Sequence, residues 1–200
     1  QKRISDVAHA FCLAAKAVPG TSYTIYGDGP AVPVVQEILN TSGKDLPVQF
    51  KGKLKSTEVQ AHLLQNQVFV LLSEFEGLPI TLMEAMSCGL VSICTNMRSG
   101  ISDLITNNLE GILIDDRKDQ FVAAIKQLKE NPALWKQMSE AARKKIVSSY
   151  SIETCSNQWI ALFEELVANA GKRSDLIMPS SKELKKIRLD EEFKRQNNPR

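Results

Sequence analysis

The stretch Ser73–Gly89, SEFEGLPITLMEAMSCG, carries two carboxylates, Glu76 and Glu84, on either side of a glycine and a proline. Pro79 suits the first position of a helix, where its missing N–H costs nothing and its φ is preset. Gly89 suits the position just past a helix end. The spacing therefore predicts a short helix over Pro79–Cys88, with Glu76 in the loop ahead of it. A helix N-terminus attracts anions through unpaired amides and the macrodipole. The amides on offer include those of Gly77, Leu78, Ile80 and Thr81, and Gly77 lets the backbone approach a ligand closely. Glu84 follows Ile80 by one turn, beside Met83 on a segment with no other charge, which predicts a carboxylate among apolar neighbours. An unpartnered buried carboxylate costs several kcal/mol, so Glu84 needs donors. An internal Arg or Lys would serve, as would solvent, and so would the vicinal hydroxyls of a ligand such as a ribose.

The surrounding elements must hold these groups in place. From Thr21 to about Leu128, short β-branched runs alternate with helical periods. Strands are predicted over Ser22–Tyr26, Val48–Phe50, Val68–Leu72, Leu90–Cys94 and Gly111–Ile114. Helices are predicted over Val32–Leu39, Thr57–Gln65, Pro79–Cys88, Ile101–Thr106 and Lys118–Leu128. This alternation implies βα units and an α/β, doubly wound parallel sheet. Ligands on such sheets bind at the carboxyl ends of the strands, where turn residues cluster here: GDGP at Gly27–Pro30, KGK at Lys51–Lys53 and EGLP at Glu76–Pro79.

The chain opens on a helical stripe, Ile4, Val7, Ala8, Phe11, Cys12 and Ala15, which ends at Pro19-Gly20. A doubly wound sheet would have a strand ahead of that helix. The expectation is a fragment of a larger protein, with the Rossmann-like domain over residues 1–170 and its first strand upstream. Two longer helices follow, Pro132–Ser149 and Ile152–Ala170, with Trp135 and Trp159 expected as core anchors. Residues 171–200 read as a charged helix or tail. The sequence Ser180-Ser181-Lys182-Glu183 fits a capping box, and an electrostatic membrane contact is the minority reading of this segment.

The two glutamates and their neighbours resemble the signature of retaining family-four glycosyltransferases, which have the GT-B fold of two Rossmann-like domains facing a cleft. The likeness extends through IYGDGP (Ile25–Pro30), similar to that family's strand and G-x-G-P, and VQFKGKL (Val48–Leu54), similar to its F-x-G segment. SGISDLI (Ser99–Ile105) is similar to its G-x-x-E helix start, with Asp103 in place of the usual Glu. KRISDVAHAF resembles the helix after its basic turn. Together these span about residues 1 to 115 in order. The resemblance implies the C-terminal, nucleotide-sugar-binding domain. Glu84 would accept the donor's ribose hydroxyls, and Glu76 would face the transferred sugar, with Gly77, Leu78 and Pro79 close by. Lys2 would neutralise the diphosphate, and Arg3 stands where the family often has glycine. Gly27 and Gly29 would allow close approach at the nucleotide edge, and Lys53 and Leu54 would border the base. Glu76 and Lys2 are thus the catalytic candidates. No metal and no cofactor is implied, only a UDP- or GDP-linked hexose as donor. The partners are an unknown acceptor and an N-terminal domain of the same protein, needed for full activity. The rival readings are a stand-alone nucleotide-sugar-binding module, a GT-B epimerase, a phosphorylase and a non-catalytic helper subunit.

Composition supports an ordinary soluble protein. Charged residues are 24% of the 200 and mean hydropathy is −0.17. A net charge of +2 is too small to argue for nucleic acid. The longest strongly apolar run, at Val68–Leu72, falls far short of a membrane span. Four cysteines, Cys12, Cys88, Cys94 and Cys155, form no C-x-x-C pair and lie beside apolar residues. They read as buried reduced thiols, which fits a cytoplasmic protein, with a peripheral contact at the inner membrane face as the minority addition.

Overall fold

The computed structural model describes residues 1–169, which fall into two compact units, Gln1–Cys155 and a second beginning at Ser156. In the first unit, α1 (Ile4–Ala17), β1 (Tyr23–Ile25), α2 (Val32–Thr41), β2 (Val48–Phe50) and α3 (Ser56–Leu63) lead to β3 (Val68–Leu71). There follow α4 (Ile80–Ser87), β4 (Val91–Thr95), α5 (Ile101–Leu104), β5 (Gly111–Ile114), α6 (Asp119–Glu130) and α7 (Pro132–Tyr150). The predicted α/β pattern is present in order.

All strand pairs are parallel. β1 pairs with β2 in the register Tyr23 with Val48. β4 lies between β3 and β5, with Val70 opposite Ile93 and Ile93 opposite Ile112. Alternate residues of these strands serve opposite faces, as the period-two pleat requires. On one face Val91, Ile93, Ile112 and Ile114 join Phe11 of α1 and Phe121 of α6 in a single apolar cluster that also takes in Tyr23 and Ile25. On the other, Leu71 and Cys94 pack with Leu82 and Met86 of α4 and Ala142 and Ile146 of α7. Every residue of β4 is buried, Ser92 and Thr95 included, as a parallel strand covered on both faces requires.

The sheet is not continuous. β1–β2 and β3–β4–β5 are separate sheets among the described residues, joined by helices and not by strand pairing. A cleft of about 1300 Å3 lies between them, lined by β1 on one side and β3 on the other.

Some boundaries differ from expectation. Pro79 occupies the N-cap of α4, with extended φ −76° and ψ 106°, and not the first helical turn. Its fixed φ is compatible with either position. Gly89 does stand beyond the end, at φ 82°. Trp135 behaves as an anchor: it packs against the first apolar cluster and its Nε1 donates to the Gln67 carbonyl at 3.0 Å. Trp159 does not. It lies in α8 (Ile152–Ala168), stacks with Phe163 at 5.7 Å between ring centroids, and remains 59% exposed. A helix's apolar stripe reports a preference for burial but not whether a partner surface is at hand. Cys12 and Cys94 are buried, whereas Cys88 and Cys155 are half-buried, and all four are free thiols. The capping-box reading at Ser180–Glu183 and the tail's membrane contact lie outside the described residues.

Candidate functional site

The groups singled out in the sequence converge on the carboxyl ends of β1 and β3. β3 delivers Ser73 and Glu76 just past its last residue. The turn that opens α1 meets them there: Gln1 accepts a hydrogen bond at its carbonyl from the Glu74 amide, 2.9 Å away. Lys2 Nζ donates to Glu76 Oε1 at 2.6 Å, and Arg3 Nε lies 3.2 Å from Glu74 Oε1 and 2.8 Å from Asp6 Oδ2. Arg3 adopts the left-handed region, φ 48° and ψ 42°. That conformation costs an L-residue about 1–2 kcal/mol, so the two carboxylates that grip its guanidinium help to hold a turn that a glycine would enter freely.

Glu76 is the buried member of the carboxylate pair, at 8% exposure. Burial pushes its carboxyl up, but the hydrogen bond from the Lys2 ammonium, with that ammonium's charge and the nearby Ser73 hydroxyl, outweighs it and the net shift is downward. The same buried anion adds to the desolvation that pushes the neighbouring Cys94 thiol up, so Cys94 is a protonated, inert thiol.

Glu84 corrects the sequence expectation. It is exposed and, among the described residues, forms no ion pair. The buried stripe of α4 is Leu82, Ala85 and Met86. At about 100° per residue, Glu84 falls on the opposite side with Ile80, which is 70% exposed, and Thr81. The carboxylate lines the cleft with its acceptor oxygens uncommitted, and it needs no internal cation.

Lys2, Arg3, Gly27, Gly29, Lys53, Leu54, Thr81 and Glu84 all border the same cleft. Gly27 and Gly29 have φ values of 156° and 137°, and the Gly27 amide donates to the Gly52 carbonyl at 2.9 Å. This bond ties the GDGP turn to the F-x-G turn after β2. Gly77, Leu78 and Pro79 are not among the cleft's lining residues. They lie against the start of α5, where the Gly100 amide donates to the Gly77 carbonyl at 2.8 Å. A Cβ on Gly100 would stand 2.7 Å from that oxygen and 2.9 Å from Leu78 Cα, so only glycine lets the two loops pack.

Two contributors were not foreseen. Arg117, after β5, donates from Nε to the Leu72 carbonyl at 3.0 Å and from Nη2 to the Ser73 carbonyl at 3.3 Å. It clamps the carboxyl end of β3, from which Glu76 hangs. Tyr26 Oη and His62 Nδ1, both bordering the cleft, lie 3.1 Å apart. Both pairs join residues at least 36 positions apart, and no local pattern announces them.

Arranged in this way, the site offers a cation and free helix amides beside a buried carboxylate, and one turn along α4 a second, unpaired carboxylate. That is an arrangement for a polyanion joined to a polyhydroxyl compound. The sequence profile described as "Glycosyl transferases group 1" matches residues 1–145. The chain is 28% identical over 163 residues to the poly(ribitol-phosphate) alpha-N-acetylglucosaminyltransferase of Staphylococcus aureus, covering 81% of this chain and 33% of that relative. It is 29% identical over 168 residues to the N-acetyl-alpha-D-glucosaminyl L-malate synthase of Bacillus anthracis, covering 83% of this chain and 43% of the relative. It superimposes on the crystal structure of an S. aureus TarM variant with fondaparinux, alpha-GlcNAc-glycerol and UDP, with a TM-score of 0.73 at 27% identity over 81% of this chain and 33% of that one. The pneumococcal O-GlcNAc transferase GtfA, in complex with UDP and GlcNAc, gives 0.73 at 25% identity over 83% and 33%. The chain spans about a third to two-fifths of the length of these relatives. With a Rossmann-like sheet and its ordered motifs matched over most of its length, the chain belongs to the group 1 glycosyltransferases, as a domain of the GT-B C-terminal type.

Proposed function

We propose that this chain is the donor-binding half of a retaining glycosyltransferase, which transfers a hexose from a UDP- or GDP-linked sugar to an acceptor. The observation that carries the reading is the pairing of Lys2 with buried Glu76 at the carboxyl end of β3, while Glu84 lines the neighbouring cleft unpaired. Lys2 and the first amides of α4 lie where a diphosphate leaving group gains negative charge, the electrostatic mode of catalysis. Glu84 accepts the two vicinal ribose hydroxyls. Glu76, held anionic by Lys2, orients the transferred sugar, and the acceptor attacks from the face that the diphosphate leaves. The C1–O bond to the diphosphate breaks as the acceptor oxygen bonds to C1, and the acceptor's proton passes to the departing phosphate oxygen. Relatives with UDP bound support a nucleotide donor.

The acceptor wall belongs to an N-terminal domain, and the 200-residue chain alone transfers little sugar. The protein works in the cytoplasm, which its four free thiols support; among the described residues no helix is long and apolar enough to cross a membrane. The test is a calorimetric titration with UDP and 2′-deoxy-UDP. Glu84→Ala is expected to weaken UDP about tenfold, the worth of about 1.4 kcal/mol, and to erase the preference for UDP over its deoxy analogue. Retention of that preference would sink the ribose assignment, and efficient transfer by the isolated chain would overturn the shared-site reading.

A further inference from the structure

The cleft has a wall that the diphosphate and ribose assignments leave unused. Three elements meet there. The bond from the Gly27 amide to the Gly52 carbonyl joins the turns that follow β1 and β2. Tyr26 at the end of β1, Leu54 in the turn after β2, and Val59 and His62 on α3 border the cleft on this side. All four are half-buried. Val59 and His62 stand three positions apart on α3 and so share one of its faces. Tyr26 Oη and His62 Nδ1 are 3.1 Å apart, with ring centroids at 5.2 Å and planes inclined by 49°. Whichever atom carries the proton, the bond ties a ring from the sheet to a ring from a helix. It fixes the phenol as a plate beside the apolar side chains of Leu54 and Val59.

We propose that Tyr26, positioned by His62, is the platform on which the donor's base rests, and that the base this wall selects is uracil. The proposal rests on the donor-binding reading above. Lys2 and Glu84 both stand on the β3 side of the cleft, one bonded to the loop after β3 and the other on α4, so the base falls to the β1 side. A base needs apolar cover on its faces, and Tyr26, Leu54 and Val59 supply it. Stacking on an aromatic ring is open to every base, so selection falls to the polar edge. The backbone amides and carbonyls of Lys53 and Leu54 make no hydrogen bond among the described residues. A free amide beside a free carbonyl complements uracil, whose N3–H lies between two carbonyl oxygens. Lys53 is exposed, borders the cleft and forms no ion pair among the described residues. Its ammonium favours those oxygens further. Guanine instead presents adjacent N1–H and N2–H donors, which call for a carboxylate with both oxygens free. This wall offers none: Asp28 Oδ1 is held by the Gly29 amide at 2.8 Å. Glu58 is held by the Lys55 amide at 3.2 Å and is not among the lining residues.

The test is calorimetry on the 200-residue protein with UDP, GDP and inorganic pyrophosphate. UDP is expected to bind about tenfold more tightly than GDP. Tyr26→Ala is expected to weaken UDP about tenfold, within the range of one aromatic stack, and to leave pyrophosphate unchanged. His62→Ala frees the ring without removing it and is expected to weaken UDP about threefold, the scale of one hydrogen bond. His62→Gln, which can still bond to the phenol, is expected to restore the parent affinity. Equal affinities for UDP and GDP, or a preference that survives Tyr26→Ala, would overturn the selector and leave the donor site standing. Failure of all three ligands to bind the parent would overturn the donor site and the selector together. Should Tyr26→Ala unfold, NMR of the unsubstituted protein decides. Nuclear Overhauser contacts between the Tyr26 ring and the uracil H5 and H6 protons support the platform, and their absence at saturating UDP overturns it.

Discussion

Lys2 Nζ and Glu76 Oε1 are 2.6 Å apart although 74 positions separate them in the chain. The bond joins the turn before α1 to the loop after β3, and it pairs the ammonium assigned to the diphosphate with the carboxylate assigned to the sugar.

Replacing Lys2 by methionine keeps most of the stem's length and removes the charge. A hydrogen bond to a charged group is worth about 1.5–3 kcal/mol. Lys2 is 58% exposed, so the lower end applies. UDP affinity measured by calorimetry is expected to fall about tenfold, while uridine affinity stays level. A parallel loss for uridine would show that the lysine shapes the loop and not the phosphate subsite.

The ion pair also sets a pH dependence. Its carboxyl titrates below the ordinary range of a glutamate. The unfolded chain therefore binds a proton more readily than the native one, and stability is gained as pH rises from the depressed native value to the ordinary one, near 4.3. The contribution is complete at neutral pH and is lost as pH falls through the depressed native value. Glu76→Gln should be less stable than the parent at pH 7, with the gap narrowing toward pH 3. Urea midpoints at three or four pH values measure this, and a constant gap would remove the ion pair as its cause.

Gly100→Ala places a methyl group 2.7 Å from the Gly77 carbonyl oxygen. Overpacking of this kind costs about 1–3 kcal/mol, and the contact is with backbone, which cannot rotate away. The expected result is a lowered urea midpoint together with NMR shifts at Gly77 and Leu78. An unchanged midpoint would mean that the loops separate freely.

Arg117→Lys retains the cation but not the fork that reaches two carbonyls. The expected loss is about 1 kcal/mol, with faster amide exchange at the carboxyl end of β3 and weaker nucleotide binding as Glu76 loses its anchor. Arg117→Ala should show the same effects more strongly.

The strands and the order of elements were legible because β-branched runs such as Val68–Leu71 and Val91–Thr95 punctuated by glycine and proline leave few alternatives. The carboxylate pair was legible as a pair, with Glu76 in its loop, but Glu84 was assigned the wrong surroundings. α4 has apolar residues on every side, with Ile80 on one face and Leu82 and Met86 on another. A stripe cannot be drawn on such a helix, and Glu84 consequently reads as buried. Only the packing against α7 reveals which side is covered. Glu76 reads as a loop residue, which it is, but the ammonium that pairs with it in its buried position comes from Lys2, 74 positions away. Arg117 and Gly100 act through single contacts with backbone atoms. Side-chain periodicity carries no record of such contacts.

The division of the sheet bears on how the protein comes apart. No ladder of hydrogen bonds crosses from β1–β2 to β3–β4–β5 among the described residues, so the two blocks are joined by helix packing, chiefly of α1 and α6, and by the bonds of Gln1 and Lys2 to the loop after β3. Cooperativity across such a seam is weak, and each block is a candidate foldon. On heating, the two-stranded block with its short β1 and β2 melts before the block built around the fully covered β4. Probes in Tyr23 and Trp135 then report different midpoints, and a single melting temperature does not describe the chain.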